Sequence, residues 1–347
     1  MPLELIVGVV MMVALMVYML TGGADFGGGV WDLLAFGPRA RAQRHVVSEA
    51  IGPIWEANHV WLILVVVLLF VCFPTGFAAI TTALHIPLTI MLIGVVLRGS
   101  AFVFRSYDPR HPDETVGPWR LVFAIASTVT PVTLGISLGA VASGRMRLDP
   151  ETGLVQTDFF SEWFAAFPLA LGLYTLALMA LLAAVYLVLE TDDPALKADF
   201  RRRALASGAV SGVLAFATLG LAEDGAPAVW NGLTGQWWSL PFQVLTGLVA
   251  VGALVAVWRQ RDRLAQVLVG GQVLAIMGGF GASWYPYLIA PDLTLAAAAA
   301  PDAVLRPVLI ALASGSLLLL PAFVWLYRVF KTRPTPSSRT PENRTPA

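Results

Sequence analysis

The chain has 347 residues, of which 57% are hydrophobic and only 13% are charged, and its formal net charge at pH 7 is zero. A soluble domain carries about 25% charged residues, so this composition indicates an integral membrane protein. The zero net charge argues against nucleic-acid binding, and a single cysteine, Cys72, excludes a disulfide framework and a thiolate metal site.

Nine apolar windows are long enough to cross a bilayer, which takes about 20 residues of helix. Each window is closed by a charged or Pro/Gly-rich segment, so we predict about nine transmembrane helices in a single membrane domain, residues 1–331. In chain order, windows 1 to 9 are 3–23, 51–73, 77–99, 119–142, 162–189, 204–222, 239–258, 264–283 and 305–327.

The basic residues predict the orientation of these helices. Arginine and lysine concentrate after windows 1, 3, 5, 7 and 9, whereas the other side carries only Arg145, Arg147 and Arg306. Because cytoplasmic loops are enriched in Lys and Arg, the N-terminus is predicted outside and the C-terminus in the cytoplasm. Residues 332–347 are rich in Pro, Ser, Thr and Arg and have no apolar face, which predicts a disordered cytoplasmic tail.

Ionisable residues collect at the cytoplasmic ends of windows 1 to 3. Asp25 follows window 1, Glu56 opens window 2, and Arg98 closes window 3. Helices joined by short connections usually pack side by side, so we expect these three side chains at one level of the membrane. An ionisable group inside a bilayer costs about 2.5–3.5 kcal/mol on insertion scales, and it normally faces a partner or a water-filled path.

Two interpretations of this cluster stay open at this point. In the first, Asp25 and Glu56 pass protons inward from the cytoplasm through bound water. Asn58 and His59 would assist, since His59 is three residues from Glu56 and shares its helix face. The charge of Arg98 would keep one carboxylate ionised. In the second interpretation, the same residues form a neutralised cluster that only locks three helices together.

Glycines are unusually dense around Asp25, within residues 22–29. Glycine is common where helices approach closely and where a backbone bends. A phosphate-binding loop is disfavoured, because no strand precedes the segment and no Walker-type lysine follows it. The chain's four histidines are too few and too scattered to ligate several haems.

Taken together, these motifs resemble subunit II of the cytochrome bd quinol oxidases, the CydB family. The resemblance is carried by GADFG (23–27), WEANHVW (55–61), Arg98-Gly99 and Phe104-Arg105, and it continues through 285–288, 292–294 and 326–331. It implies an all-α membrane protein with two four-helix bundles and one peripheral helix, in a bacterial inner membrane. It also implies a complex that oxidises quinol and reduces oxygen to water.

The resemblance assigns the chemistry of such a complex to subunit I, which holds two haems of b type and one of d type. No catalytic or metal-binding residue is therefore assigned to this chain. Its implied work is to scaffold subunit I and to supply a cytoplasmic proton route to the oxygen-reducing haem. The residues that the resemblance implies for this route are Asp25 and Glu56 as carriers, supported by Asn58, His59 and Arg98. A small third subunit and a structural quinone bound in this chain are compatible with it.

A secondary transporter or ion permease is the main alternative, since intramembrane carboxylates and glycine-interrupted helices also occur in that class. Transporters place their polar site near the membrane midplane, whereas this sequence places it at one face. A purely structural assembly subunit is the third interpretation. It predicts that removing the charge of Glu56 lowers the abundance of the complex and leaves its turnover unchanged.

Overall fold

The computed structural model describes residues 2–51, 55–107 and 117–331, which are mostly helical. The predicted disordered tail, 332–347, lies outside these residues. The helices are α1 (Leu3–Leu33), α2 (Ala40–Ile51), α3 (Trp55–Cys72), α4 (Pro74–Ala83), α5 (His85–Tyr107), α6 (Pro118–Ala142), α7 (Ala166–Glu190), α8 (Pro194–Gly225), α9 (Pro227–Thr234), α10 (Ser239–Trp258), α11 (Asp262–Trp284), α12 (Leu295–Ala298) and α13 (Asp302–Lys331). Two short antiparallel hairpins pair β1 (Arg147–Leu148) with β2 (Val155–Gln156), and β3 (Tyr287–Ile289) with β4 (Leu293–Thr294).

Eight helices in the described residues are long and apolar enough to cross a membrane, and the bent pair α2 and α3 makes a ninth if it forms one span. The eight are α1, α5, α6, α7, α8, α10, α11 and α13. The predicted all-α membrane class is therefore confirmed. The chain divides into two compact units, the first spanning Met1–Leu305 and the second beginning at Arg306 within α13.

Helix α7 is the centre of the first unit. It contacts α1, α2, α6, α8 and α11, and 78% of its most apolar window is buried. Its sequence is apolar on every side, which is typical of a helix surrounded by other helices. By contrast, only 17% of the corresponding window of α10 is buried, so that helix is placed to face lipid or a partner.

Helix α1 is longer than predicted. Window 1 stops at residue 23, near the start of the glycine-rich segment, but α1 runs through that segment to Leu33. The glycines serve close packing: a Cβ on Gly27 would overlap the backbone oxygen of Met179 in α7, and one on Gly29 would overlap the Ser127 side chain in α6. Small residues allow backbones to approach this closely. A helix that packs tightly on two neighbours therefore tolerates glycine in its interior.

Helix α8 also begins before its predicted window, 204–222. Its first turn starts at Pro194 and is capped by Asp193, whose carboxylate accepts the N–H of Ala195 at 2.8 Å. Arg39, in the α1–α2 connection, donates two hydrogen bonds of 2.7 Å to Asp199. The charged segment between windows 5 and 6 is thus part of helix α8, and its Asp199 is bound to the α1–α2 connection.

Candidate functional site

A buried carboxylate and amide join α1 to α3. Asn58 Nδ2 donates a hydrogen bond to Asp25 Oδ2 at 2.5 Å. Asp25 is 6% exposed and Asn58 1% exposed, so the pair is shielded from the surroundings of the chain. Because α1 continues to Leu33, Asp25 lies inside the helix; the predicted position at the helix end is wrong. The structure does bring Asp25 and Asn58 together, as the motifs predicted.

Arg98 of α5 lies beside this pair and is 1% exposed. Its guanidinium carbon lies 4.7 Å from the ring centre of Phe26 and 5.4 Å from that of Phe123, so two aromatic faces stabilise the cation. Its charge also acts on Asp25 and Tyr18. Its Nε and Nη2 atoms have no hydrogen-bond partner among the described residues, which makes them natural positions for bound water.

His59 lies at the aromatic side of the cluster. Its Nδ1 is 3.4 Å from the hydroxyl of Tyr18, and the donor and acceptor depend on the histidine tautomer. The centre of the His59 ring is 5.9 Å from each of the Tyr18 and Phe26 rings. Asp25, Asn58, His59 and Arg98 therefore form one cluster, which we call the Asp25 layer.

Glu56 is the predicted site residue that the structure does not bring into the Asp25 layer. It is exposed on α3, and Asn58 lies about 200° further around the helix at about 100° per residue. Four exposed apolar residues follow Glu56 at spacings of three and four, namely Val60, Ile63, Val67 and Phe70. Glu56 thus belongs to an outward face of α3, because the opposite face packs on α1.

A second charged cluster was missed by the sequence reasoning. Asp32 is 1% exposed, and its carboxylate lies 2.9 Å from Arg120 Nη1 and 3.5 Å from Arg105 Nη1. Arg105 also donates a hydrogen bond of 2.9 Å to Ser48 Oγ in α2. The charge of Arg44 acts on Asp32 as well. Asp32, Arg105 and Arg120 are called the Asp32 layer below.

The two layers share a spacing that the sequence does contain. Asp32 follows Asp25 by seven residues on α1, and Arg105 follows Arg98 by seven residues on α5. Seven residues return to nearly the same helix face about 10 Å further along the axis. Phe123 lies between the layers, since its ring centre is 5.4 Å from the Arg98 guanidinium carbon and 4.4 Å from that of Arg105.

The described residues contain no group of three or more His, Cys, Asp or Glu side chains that could hold a metal ion. What the two layers offer is a set of buried carboxylates, each with a nearby cation and hydrogen-bond donors. Such groups bind water and exchange protons.

Comparison with known proteins identifies a family from the sequence and a similar fold among solved structures. Residues 3–330 match the family described as cytochrome bd terminal oxidase subunit II. The chain is similar to two proteins of Bacillus subtilis, a putative cytochrome bd menaquinol oxidase subunit II (24% identity, 90% of this chain and 91% of the relative) and a cytochrome bd ubiquinol oxidase subunit 2 (25% identity, 90% of each). Its fold is similar to a chain in the structure of bd oxidase from Geobacillus thermodenitrificans, with a TM-score of 0.79 at 21% identity, over 95% of this chain and 99% of that chain.

Proposed function

Because the chain belongs to the family of cytochrome bd terminal oxidase subunit II, we propose that its Asp25 layer is part of a cytoplasmic proton route to the partner subunit. The protein is a subunit of a membrane quinol oxidase complex in the bacterial inner membrane, and its family implies subunit I as its partner. In this proposal subunit I holds two haems of b type and one of d type, and it takes up quinol and oxygen. Those haems supply electron transfer and oxygen reduction; the residues of this chain move protons.

The observation that carries the proposal is the buried hydrogen bond from Asn58 to Asp25. A carboxylate inside a membrane is costly unless donors and a cation compensate it, and here the amide of Asn58 and the charge of Arg98 do so. A proton that binds Asp25 Oδ1 leaves the hydrogen bond at Oδ2 intact. Asp25 can therefore change charge while the α1–α3 contact is retained, as a proton carrier requires.

Glu56 has a different place in the proposal. Its face of α3 is apolar apart from this carboxylate, and an ionised side chain that faces lipid is costly unless it is covered or reaches water. Coverage by another protein removes that exposure to lipid. We therefore place subunit I against this face, with Glu56 as the carrier at the boundary between the two subunits. A small third subunit and a structural quinone are compatible additions that the proposal does not require.

The test compares Asp25→Asn and Glu56→Gln in the complex copurified through a tag on this chain. Glu49→Gln is the matched control, because Glu49 of α2 is exposed and its one partner among the described residues is the exposed His45, at 3.4 Å. Loss of a proton carrier should slow oxygen reduction per haem d and proton uptake by about tenfold or more. The control should leave both rates unchanged.

The rival interpretation, helix locking, predicts a different pattern. Under it, the variants would lower the amount of assembled complex while the complexes that remain turn over at the normal rate. Normal turnover per haem d together with normal proton uptake in both Asp25→Asn and Glu56→Gln would refute the proposed route.

A further inference from the structure

We propose that Ser127 of α6 is a hydroxyl relay that connects the Asp32 layer to the Asp25 layer, so that protons enter this chain at Asp32. The inference rests on the proposed function, because it extends that route toward the cytoplasm. It uses two residues, Asp32 and Ser127, to which the sequence motifs assigned no role.

The position of Ser127 follows from α1. Asp25, Gly29 and Asp32 are spaced by four and three residues, so they lie on one face of the helix. The side chain of Ser127 packs directly on Gly29, where a Cβ would overlap it. At about 1.5 Å of rise per residue, Gly29 is about 6 Å from the level of Asp25 and about 4.5 Å from that of Asp32. One water molecule on either side of the hydroxyl spans such distances.

The hydroxyl of Ser127 differs from the other buried hydroxyls of α6. Thr130, Thr133 and Ser137 each donate a hydrogen bond to a backbone carbonyl in the preceding turn, at 2.7, 3.0 and 2.8 Å. Ser127 is 0% exposed, and its Oγ has no hydrogen-bond partner among the described residues. Pro131, four residues on, has no N–H to donate to the Ser127 carbonyl. Two polar atoms of one residue are thus suited to hold water.

The described residues around Ser127 make it a polar connection between the layers. Phe123, one turn earlier on α6, fills the space between Arg98 and Arg105 with an apolar ring. On the α1 side, the absence of a side chain at Gly29 leaves the Ser127 hydroxyl against the backbone between the two aspartates. A proton moving between the layers is therefore directed along α1 past Ser127.

Asp32 is suited to be the entry group. Asp32 is buried, but its partner Arg120, whose Nη1 lies 2.9 Å from Asp32 Oδ1, has a side chain that is 19% exposed. Cytoplasmic water can therefore reach the edge of the Asp32 layer. The charges facing Asp32 are those of Arg44 from α2, Arg105 from α5 and Arg120 from α6.

The transfer step conserves protons. A proton on the Asp32 carboxyl passes to bound water, and the Ser127 oxygen accepts a proton from that water. At the same time the Ser127 hydroxyl releases its own proton toward Asp25, whose carboxylate accepts it. Rotation of the hydroxyl then restores the starting arrangement. Each O–H bond that breaks is matched by one that forms, and no bond between two heavy atoms changes.

Ser127→Ala in the intact complex tests the relay. Alanine keeps the small size that the contact with Gly29 demands, so the complex should assemble with normal haem content. Turnover per haem d and proton uptake should fall by about tenfold, since water alone replaces a hydroxyl donor poorly. The slowdown should grow in D2O, because proton transfer then limits turnover; a role in packing alone would not change this isotope effect.

The matched control is Ser211→Ala on α8. The Oγ of Ser211 is also buried and also without a hydrogen-bond partner among the described residues. Normal turnover in both serine variants, with Asp25→Asn slow, would overturn the relay and leave the proposed route standing. Normal turnover in Asp25→Asn as well would refute both the relay and the proposed proton route. A slow Ser127→Ala with a normal Ser211→Ala and a slow Asp25→Asn is the result expected.

Discussion

Replacing Asp32 by asparagine should destabilise the protein strongly, because it leaves buried arginine charge without its counter-ion. The side chains of Asp32 and Arg105 are each 1% exposed, and that of Arg120 is 19% exposed. Removing one member of a buried ion pair costs about 3–5 kcal/mol. Asparagine keeps one oxygen that can accept from Arg120, so the lower value, about 3 kcal/mol, is expected. At about 2 °C per kcal/mol for a large domain, the melting temperature should fall by about 6 °C.

The assay is thermal unfolding of the detergent-solubilised complex, with Asp199→Asn as control. Asp199 accepts two hydrogen bonds of 2.7 Å from Arg39, but the Arg39 side chain is 48% exposed. An exposed pair contributes about 0.2–1 kcal/mol, so the control should shift the melting temperature by about 2 °C at most. Equal shifts in the two variants would refute the argument that burial makes the Asp32 layer dependent on its carboxylate.

Two further predictions concern packing and pH. Gly27→Ala should cost about 1–3 kcal/mol of stability, because the new methyl group meets the Met179 backbone, which cannot rotate away. The control is Gly271→Ala, which has open space around the new methyl group and should be close to neutral in the same thermal assay. At Asp292, burial alone would raise the carboxyl pKa, but hydrogen bonds, chiefly from Arg147 at 2.8 Å, outweigh it and hold the pKa below its ordinary value. The contact therefore stabilises the fold above the unfolded pKa of about 3.9 and is lost as pH falls through the lower folded pKa. The protection of the β1–β2 hairpin amides, measured relative to the intrinsic exchange rate at each pH, should thus fall only below about pH 4. Asp292→Asn should abolish that pH dependence.

Hydropathy predicted the membrane class and most of the spans, because a bilayer imposes a minimum length of apolar helix that the sequence shows directly. Window 3, 77–99, was placed too early, since that region is divided between α4 and α5 and the candidate span is His85–Arg105. The hydropathy prediction was also wrong about the end of α1, because the helix continues to Leu33. Glycine has low intrinsic helix propensity, so the segment around Gly27 and Gly29 was interpreted apart from the helix. Contacts with α6 and α7, distant in sequence, keep it helical. The same error hid Asp32, whose spacing from Asp25 becomes informative only once the helix is known to continue.

The candidate cluster was predictable in composition and only in part in geometry. Motif proximity placed Asp25, Asn58, His59 and Arg98 together, and the structure does the same. Motif proximity could not decide which way the Glu56 side chain points, because Glu56 and Asn58 are close in sequence but lie on different faces of α3. Which face turns inward depends on the packing of α3 against α1, and a single sequence does not reveal that packing.

The equal spacing of the two layers also constrains how α1 and α5 are arranged. Arg98 lies on Phe26, next to Asp25, and Arg105 pairs with Asp32, so the order along both helices is the same. The two aspartates are seven residues apart on α1, and the two arginines are seven residues apart on α5. Each aspartate can lie beside its own arginine only if the two helices run in the same direction and cross at a small angle. The predicted topology has that direction, since windows 1 and 3 both run toward the cytoplasm. The layers are therefore a property of the helix arrangement, and a proton leaving one layer finds a carboxylate with the same kind of cation about two turns away.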